Sequence, residues 1–322
     1  MVRNFARKCL ASSLVLAMGL CILPSLAREI IEFRKAKQAF DAKHYVEAEK
    51  ILLNLANAGN TRAAGILGDI YMEGKVVPQN YIMARVWLEK AAAAGDAKAM
   101  NNLAWLLNMG FGGPQEHKRA VSLRERAAAL GNFGAQYKMG LYCMRGIDTK
   151  LDYSRAFKFF ESSAKGGNGN AECLLAHLYE RGMGVLKSPE KAATLMKSAK
   201  LHGCADGEYQ VGRTYLLGLG IPKDYGKAYY WLSEGAADGN PHAMNELGVM
   251  HVNGTGVKVD DKKAVDWFLK AAKKGCPFAK YTLAERYRTG VGLPQDLKKA
   301  KSLYEESAKF GVEEARQRLN VF

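Results

Sequence analysis

A few residues in this chain could do chemistry by type and spacing. Ser162-Ser163-Ala164-Lys165 has the S-x-x-K form, in which a lysine can activate a serine for acyl transfer. It falls where another part of the chain reads KAAAAG, and the companion motifs of such enzymes are missing, so it reads as a helix end. His177 and Glu180 stand at i, i+3 with Cys173 one turn earlier, a set able to hold a metal or move a proton. Three such groups on one helix read as polar surface. The six histidines, His44, His117, His177, His202, His242 and His251, are scattered and show no HExxH spacing. The cysteines beyond residue 27, Cys143, Cys173, Cys204 and Cys276, have neither zinc-motif spacing nor the spacing of a disulfide framework. No GxSxG, P-loop or GxGxxG occurs, and pairs such as Gly182/Gly184 and Gly218/Gly220 read as loop glycines. No catalytic residue, metal or cofactor is expected.

The elements that would position any site come from an internal repeat. Gly59, Gly95, Gly131, Gly167, Gly203, Gly239, Gly275 and Gly311 stand 36 residues apart. A second glycine column runs from Gly74 to Gly290, and an alanine column from Ala48 to Ala300, at the same period. Such periodicity means stacked helix pairs. In the unit from Pro241 to Gly275, HAMNELGVMHVN reads as a first helix, A, and KKAVDWFLKAAKK as a second, B. Gly254 ends A. The column Asn80, Glu116, Asp152, Ser188, Asp224, Asp260, Asp296 supplies N-caps for B, with Glu116 the poor member. Small residues at Gly68, Ala104, Gly140, Ala176, Gly212, Gly248 and Ala284 let A and B cross closely. The column Trp87, Leu123, Phe159, Leu195, Trp231, Trp267, Leu303 reads as the large core filler.

The fold expected is all-α, a right-handed α-solenoid of antiparallel helix pairs. Residues 1–27 read as a signal peptide: Arg3, Arg7 and Lys8, an uncharged apolar run from Cys9 to Leu23, then Pro24 and a cleavage site after Ala27. Residues 28–60 read as a capping helix pair with a tight turn at Asp41–Tyr45, 61–311 as seven repeats, and 312–322 as a capping helix. Export to a periplasm or beyond follows from the leader, with no transmembrane segment once it is removed. The formal charge is +15, and taking away the leader's three basic residues leaves +12. Such a balance favours acidic partners or an anionic envelope component. There is no dense basic tract or nucleic-acid motif, so no nucleic-acid partner is expected.

The columns resemble the Sel1-like repeat, a 36-residue relative of the tetratricopeptide repeat. LGDIYMEGKVVPQNYIMARVWLEKAAAAGD, VGRTYLLGLGIPKDYGKAYYWLSEGAADGN and LAERYRTGVGLPQDLKKAKSLYEESAKFGV carry the resemblance, which covers residues 62–311. It implies a superhelix with A helices lining a concave face, serving as a scaffold or adaptor for proteins. The chain also resembles exported cysteine-rich Sel1 proteins, some proposed to bind or cleave β-lactams, but the Cys pair those carry near each repeat junction is absent here. A β-lactam- or peptidoglycan-directed activity is the alternative reading. Binding of an envelope polysaccharide through basic B helices, at Lys262, Lys263, Lys273, Lys274, Lys298 and Lys299, is the other. The groove face of the A helices is read at i, i+4, i+7. Its candidate partner-binding residues are Asn101, Trp105, Tyr137, Leu141, His177, Tyr209, Arg213, Asn245, Tyr281 and Arg288. Aromatics there offer contact area, and Asn or Arg can satisfy a peptide backbone or carboxylate.

Overall fold

A computed structural model describes residues 24–148 and 150–320. Among them are seventeen helices and no strand: α1 (Pro24–Asp41), α2 (Tyr45–Asn57), α3 (Thr61–Glu73), α4 (Tyr81–Ala93), α5 (Ala97–Met109), α6 (His117–Ala129), α7 (Phe133–Arg145), α8 (Tyr153–Lys165), α9 (Gly169–Arg181), α10 (Pro189–His202), α11 (Ala205–Leu217), α12 (Tyr225–Ala237), α13 (Pro241–Asn253), α14 (Asp261–Lys273), α15 (Pro277–Thr289), α16 (Leu297–Lys309) and α17 (Glu313–Leu319). From α3 onward, odd-numbered helices are A and even-numbered helices are B, and A packs on the B that follows in α3–α4, α5–α6, α9–α10, α11–α12, α13–α14 and α15–α16. The result is an α-solenoid of helix pairs. The described residues form two compact units that divide between Gln136 and Tyr137. No described helix is long and apolar enough to cross a membrane.

The signal peptide expected at residues 1–27 lies outside the described residues except for 24–27, which begin α1. Pro24 occupies a first helical position, where its missing N–H costs nothing. The first pair differs from a repeat in its turn and in its first helix: α1 has 18 residues against 13 in α3, and the chain reverses through Lys43 at φ 62°.

Local chemistry explains each helix boundary. The A helices α3, α5, α9, α11, α13 and α15 end on glycines in the left-handed region. The side chains of Asn80, Asp152, Ser188, Asp224, Asp260 and Asp296 each accept a bond from the backbone N–H three residues on. Glu116 makes no such bond. It is one methylene longer than aspartate and instead receives Arg85 at 2.7 Å and Arg119 at 3.4 Å. The backbone amide of each capping residue also reaches back to helix A. Asp224 N donates to Tyr215 O at 3.1 Å and Asp260 N to His251 O at 3.0 Å, which pins the A–B loop.

The close A–B crossing is where the small column predicts it, but its large partner is one residue beyond the Trp column. A Cβ on Gly248 would stand 2.5 Å from the Phe268 ring, one on Gly140 2.5 Å from Phe160, and one on Gly212 2.7 Å from Leu232. Phe160, Leu232, Phe268 and Tyr304 are wholly buried. The Trp column is correspondingly corrected. Trp87 and Leu123 are buried, but Phe159, Leu195, Trp231, Trp267 and Leu303 are only half-buried. Lysines one turn on lie over two of the indoles, Lys90 at 4.1 Å from Trp87 and Lys270 at 4.5 Å from Trp267.

Candidate partner-binding groove and its relatives

In the first unit, Trp105 is 37% exposed and belongs to an aromatic cluster with Tyr81 and Phe111. Tyr81 stacks on Phe111 at 4.6 Å and Trp105 tilts against Phe111 at 5.2 Å. Asn101 is half-buried, and its side-chain carbonyl oxygen is buried without a hydrogen-bond partner.

The second unit gathers a denser set. Tyr209 and Arg213 on α11 are half-buried. The Arg213 guanidinium lies 5.8 Å from the Tyr209 ring centroid and 3.9 Å from Glu246 on α13. The His242 ring lies 5.7 Å from that of Tyr209. Burial lowers the His242 pKa, so the ring is neutral at pH 7. Arg145 on α7 is pushed down by burial and then by the like charge of Arg213, and its Nη2 is buried with no hydrogen-bond partner. Asn245 offers another buried, unpartnered carbonyl oxygen. Two guanidiniums, one with an idle N–H, beside an aromatic ring form an arrangement that can take a carboxylate.

Three of the ten expected groove residues lie inside instead. Tyr137 and Leu141 are each 4% exposed and His177 is 1% exposed. Tyr137 donates its hydroxyl to Asp206 at 2.6 Å, and burial, then the Asp206 charge, holds the phenol well above its ordinary pKa. Leu141 joins the core with Phe160. His177 packs edge-on to Tyr215 and is 3.8 Å from Glu180, while Cys173 turns away toward Cys204. The physical reason is close packing of neighbouring A helices in this unit. A Cβ on Gly207 would meet both Asn170 O and Cys173 Cβ at 2.8 Å. Tyr281 and Arg288 are half-buried and already engaged. Tyr281 packs against Tyr304 at 5.9 Å, and Arg288 holds Glu285 at 2.7 Å.

The residues missed by sequence reasoning are Arg145, Asp206, His242 and Glu246. Arg145, Asp206 and His242 continue the same helical face by one turn from Leu141, Tyr209 and Asn245, and Glu246 stands one turn beyond His242.

Glu285 is a pH-sensitive tie in this end of the chain. It accepts from Tyr304 at 2.5 Å and from Arg318 at 2.8 Å. Burial alone would raise its pKa, but the bonds from Tyr304 and Arg288 outweigh burial and hold it below the ordinary value of 4.5. A depressed carboxyl contributes stability that is complete above its unfolded pKa and is lost as pH falls through the folded value. Thermal melts between pH 6 and about pH 3 should therefore fall less steeply for Glu285→Gln than for the parent chain. Identical slopes would remove Glu285 from that account.

The Sel1 repeat family model matches residues 61–96, 97–132, 134–168, 169–204, 205–240, 241–276 and 277–309. The chain belongs to the Sel1-repeat family. Among solved structures it is similar to c5321, a protective antigen of uropathogenic Escherichia coli displaying an SLR fold. The two share 26% identity at a TM-score of 0.52, over 100% of this chain and 67% of that one. It is also similar to a Sel1 repeat protein from Oxalobacter formigenes, with 29% identity and a TM-score of 0.53, over 74% of this chain and 98% of that one. No curated protein matches the sequence. Sel1-repeat solenoids commonly mediate protein–protein interaction and are generally non-catalytic.

Proposed function

We propose that this chain is an exported, non-enzymatic scaffold that binds a protein or peptide segment on the A-helix face of its second unit, around Tyr209. The observation that carries the reading is the pair Arg145 and Arg213. The two guanidiniums repel each other, and one buried N–H of Arg145 has no partner. An acidic side chain or C-terminal carboxylate of the partner would satisfy both, with Tyr209 giving apolar area and Asn245 accepting a backbone N–H. The leader sequence supports export.

A displayed peptide library provides the test. Selected peptides should be enriched in Asp, Glu or a free C-terminal carboxylate. Arg145→Gln with Arg213→Gln should weaken them by at least about tenfold, the scale of one charge-assisted contact. Lys262→Gln with Lys263→Gln, both exposed on α14, should leave binding intact. Peptides without acidic bias, or equal binding by the Arg variant, would remove the groove from this face.

A further inference from the structure

Cys204 occupies the N-cap of α11 but makes no cap bond. Its column reads Asn60, Asp96, Asn132, Asn168, Cys204, Asn240, Cys276. Asn168 and Asn240 cap their own helices with the side-chain oxygen. For α11 that duty passes to the preceding A helix. The Asn170 side-chain oxygen accepts from Asp206 N at 3.0 Å and Gly207 N at 2.9 Å. Cys204 is thereby freed for another role.

Its thiol donates to Glu208 at 3.5 Å and stands beside the thiol of Cys173 on α9. Glu208 is wholly buried, with one carboxylate oxygen against Lys200 and the other without a partner. Asp238, just past α12, completes the cluster. A sulfur of Cys204 and one oxygen each of Glu208 and Asp238 lie within 4.8 Å of one another. The Lys200 ammonium sits among the acids, also reaching Glu234 at 3.1 Å and Asp238 at 3.4 Å. A cavity of about 370 Å³, lined by Asn170, Lys200, Cys204 and Asp238, opens at the Cys204 and Asp238 side of the cluster.

One thiol and two carboxylates converge on one spot, a second thiol stands beside the first, and one carboxylate oxygen is buried and idle, against the single ammonium of Lys200. We propose that this cluster is a binding site for a thiophilic divalent cation of the zinc class. Cys173 and Cys204 bind as thiolates, and Glu208 and Asp238 give one oxygen each. Two sulfurs and two oxygens are a tetrahedral donor set that suits zinc and cobalt. Binding replaces two S–H bonds by two metal–sulfur bonds and releases two protons, with no change of oxidation state. Lys200 gives up Glu208 and Asp238 to the ion and keeps its pairing with Glu234. Cys173 on α9 and Cys204 at the N-cap of α11 stand 31 residues apart, so no short spacing motif marks them.

The full chain, fully reduced and metal-free, is titrated with Co²⁺ and then with Zn²⁺. The expected result is a thiolate-to-cobalt charge-transfer band with the strong visible bands of a four-coordinate ion. It saturates at one ion per chain and is erased by one equivalent of Zn²⁺. Proton release in weakly buffered solution should approach two per ion. Cys204→Ser and Cys173→Ser, nearly isosteric, should each lower the charge-transfer intensity and weaken Zn²⁺ more than tenfold. Asp238→Asn is exposed and spares the core. It should weaken Zn²⁺ while keeping the charge-transfer band. Cys276→Ser should change nothing. Absence of the band, or a band and affinity indifferent to both Cys204→Ser and Asp238→Asn, overturns the site.

Discussion

Phe268→Ala should destabilise the chain by about 3–5 kcal/mol, the usual loss when a buried phenylalanine is truncated. Phe268 is wholly buried, and its ring lies against the bare backbone of Gly248 on the preceding helix. A glycine can put no atom into the hole left behind, so the cavity stays open and the cost should fall toward the upper end. The reverse substitution is also informative. Gly248→Ala drives a Cβ to 2.5 Å from the Phe268 ring, so one helix must move, at about 1–3 kcal/mol. Elsewhere in the chain an alanine stands in the Gly248 column, and there the Phe268 column holds a different residue, as in Ala176 with Met196. Gly248→Ala combined with Phe268→Met should therefore recover part of what Gly248→Ala alone loses, because an unbranched thioether bends around the new methyl. Urea unfolding followed by circular dichroism measures all three. A double variant no better than the sum of its parts would show that the two positions do not share a packing contact.

The repeat itself was legible because its constraints are local and identical in every copy. A capping aspartate such as Asp260 or a helix-ending glycine such as Gly254 acts within a few residues of itself, so its type recurs at each period. The Trp column misled because residues i and i+1 on helix B both face inward at different depths, and hydrophobicity alone ranks tryptophan above leucine. Depth is set by what lies opposite, and Gly248 opposite Phe268 could be paired only once the helices were docked. The groove was half legible for a related reason. A helical face can be named from spacing, but Tyr137 and Tyr209 have the same register and different fates. The Tyr137 hydroxyl is drawn to Asp206, 69 residues later, and the ring is sealed in. The cluster at Cys204 was invisible, because its logic is a swap: Asn170 takes over a capping role, and the cysteine in the vacated position turns inward.

Gly184→Ala should cost about 2–5 kcal/mol, adding about 1–2 for an alanine in the left-handed region to about 1–3 for overpacking. Gly184 has φ +69°, and a Cβ built on it would stand 2.3 Å from the Tyr153 carbonyl carbon and 2.5 Å from Ser154 N. Those are backbone atoms at the start of α8, in the preceding repeat, so no rotamer can relieve the contact. Gly112, Gly184 and Gly256, each the second glycine of a pair that mimics a phosphate loop in the sequence, thus seat their A–B loops on the start of the preceding B helix, at Tyr81, Tyr153 and Tyr225. Gly167, in the preceding repeat, separates the two contributions. Its φ is +76°, yet a Cβ there would meet nothing within 4 Å. Gly167→Ala should carry the conformational cost alone, about 1–2 kcal/mol. Since stability in a solenoid is carried largely by interfaces between neighbouring repeats, Gly184→Ala should also broaden the unfolding transition and raise amide exchange in α8. Equal losses for the two alanines, with a sharp transition in both, would mean that the loop yields and the contact with Tyr153 carries no weight. Asp148 stands 36 residues before Gly184 and holds φ 53° with a side chain in place. Asp148→Gly should therefore shift stability the opposite way from Gly184→Ala, by the conformational term only.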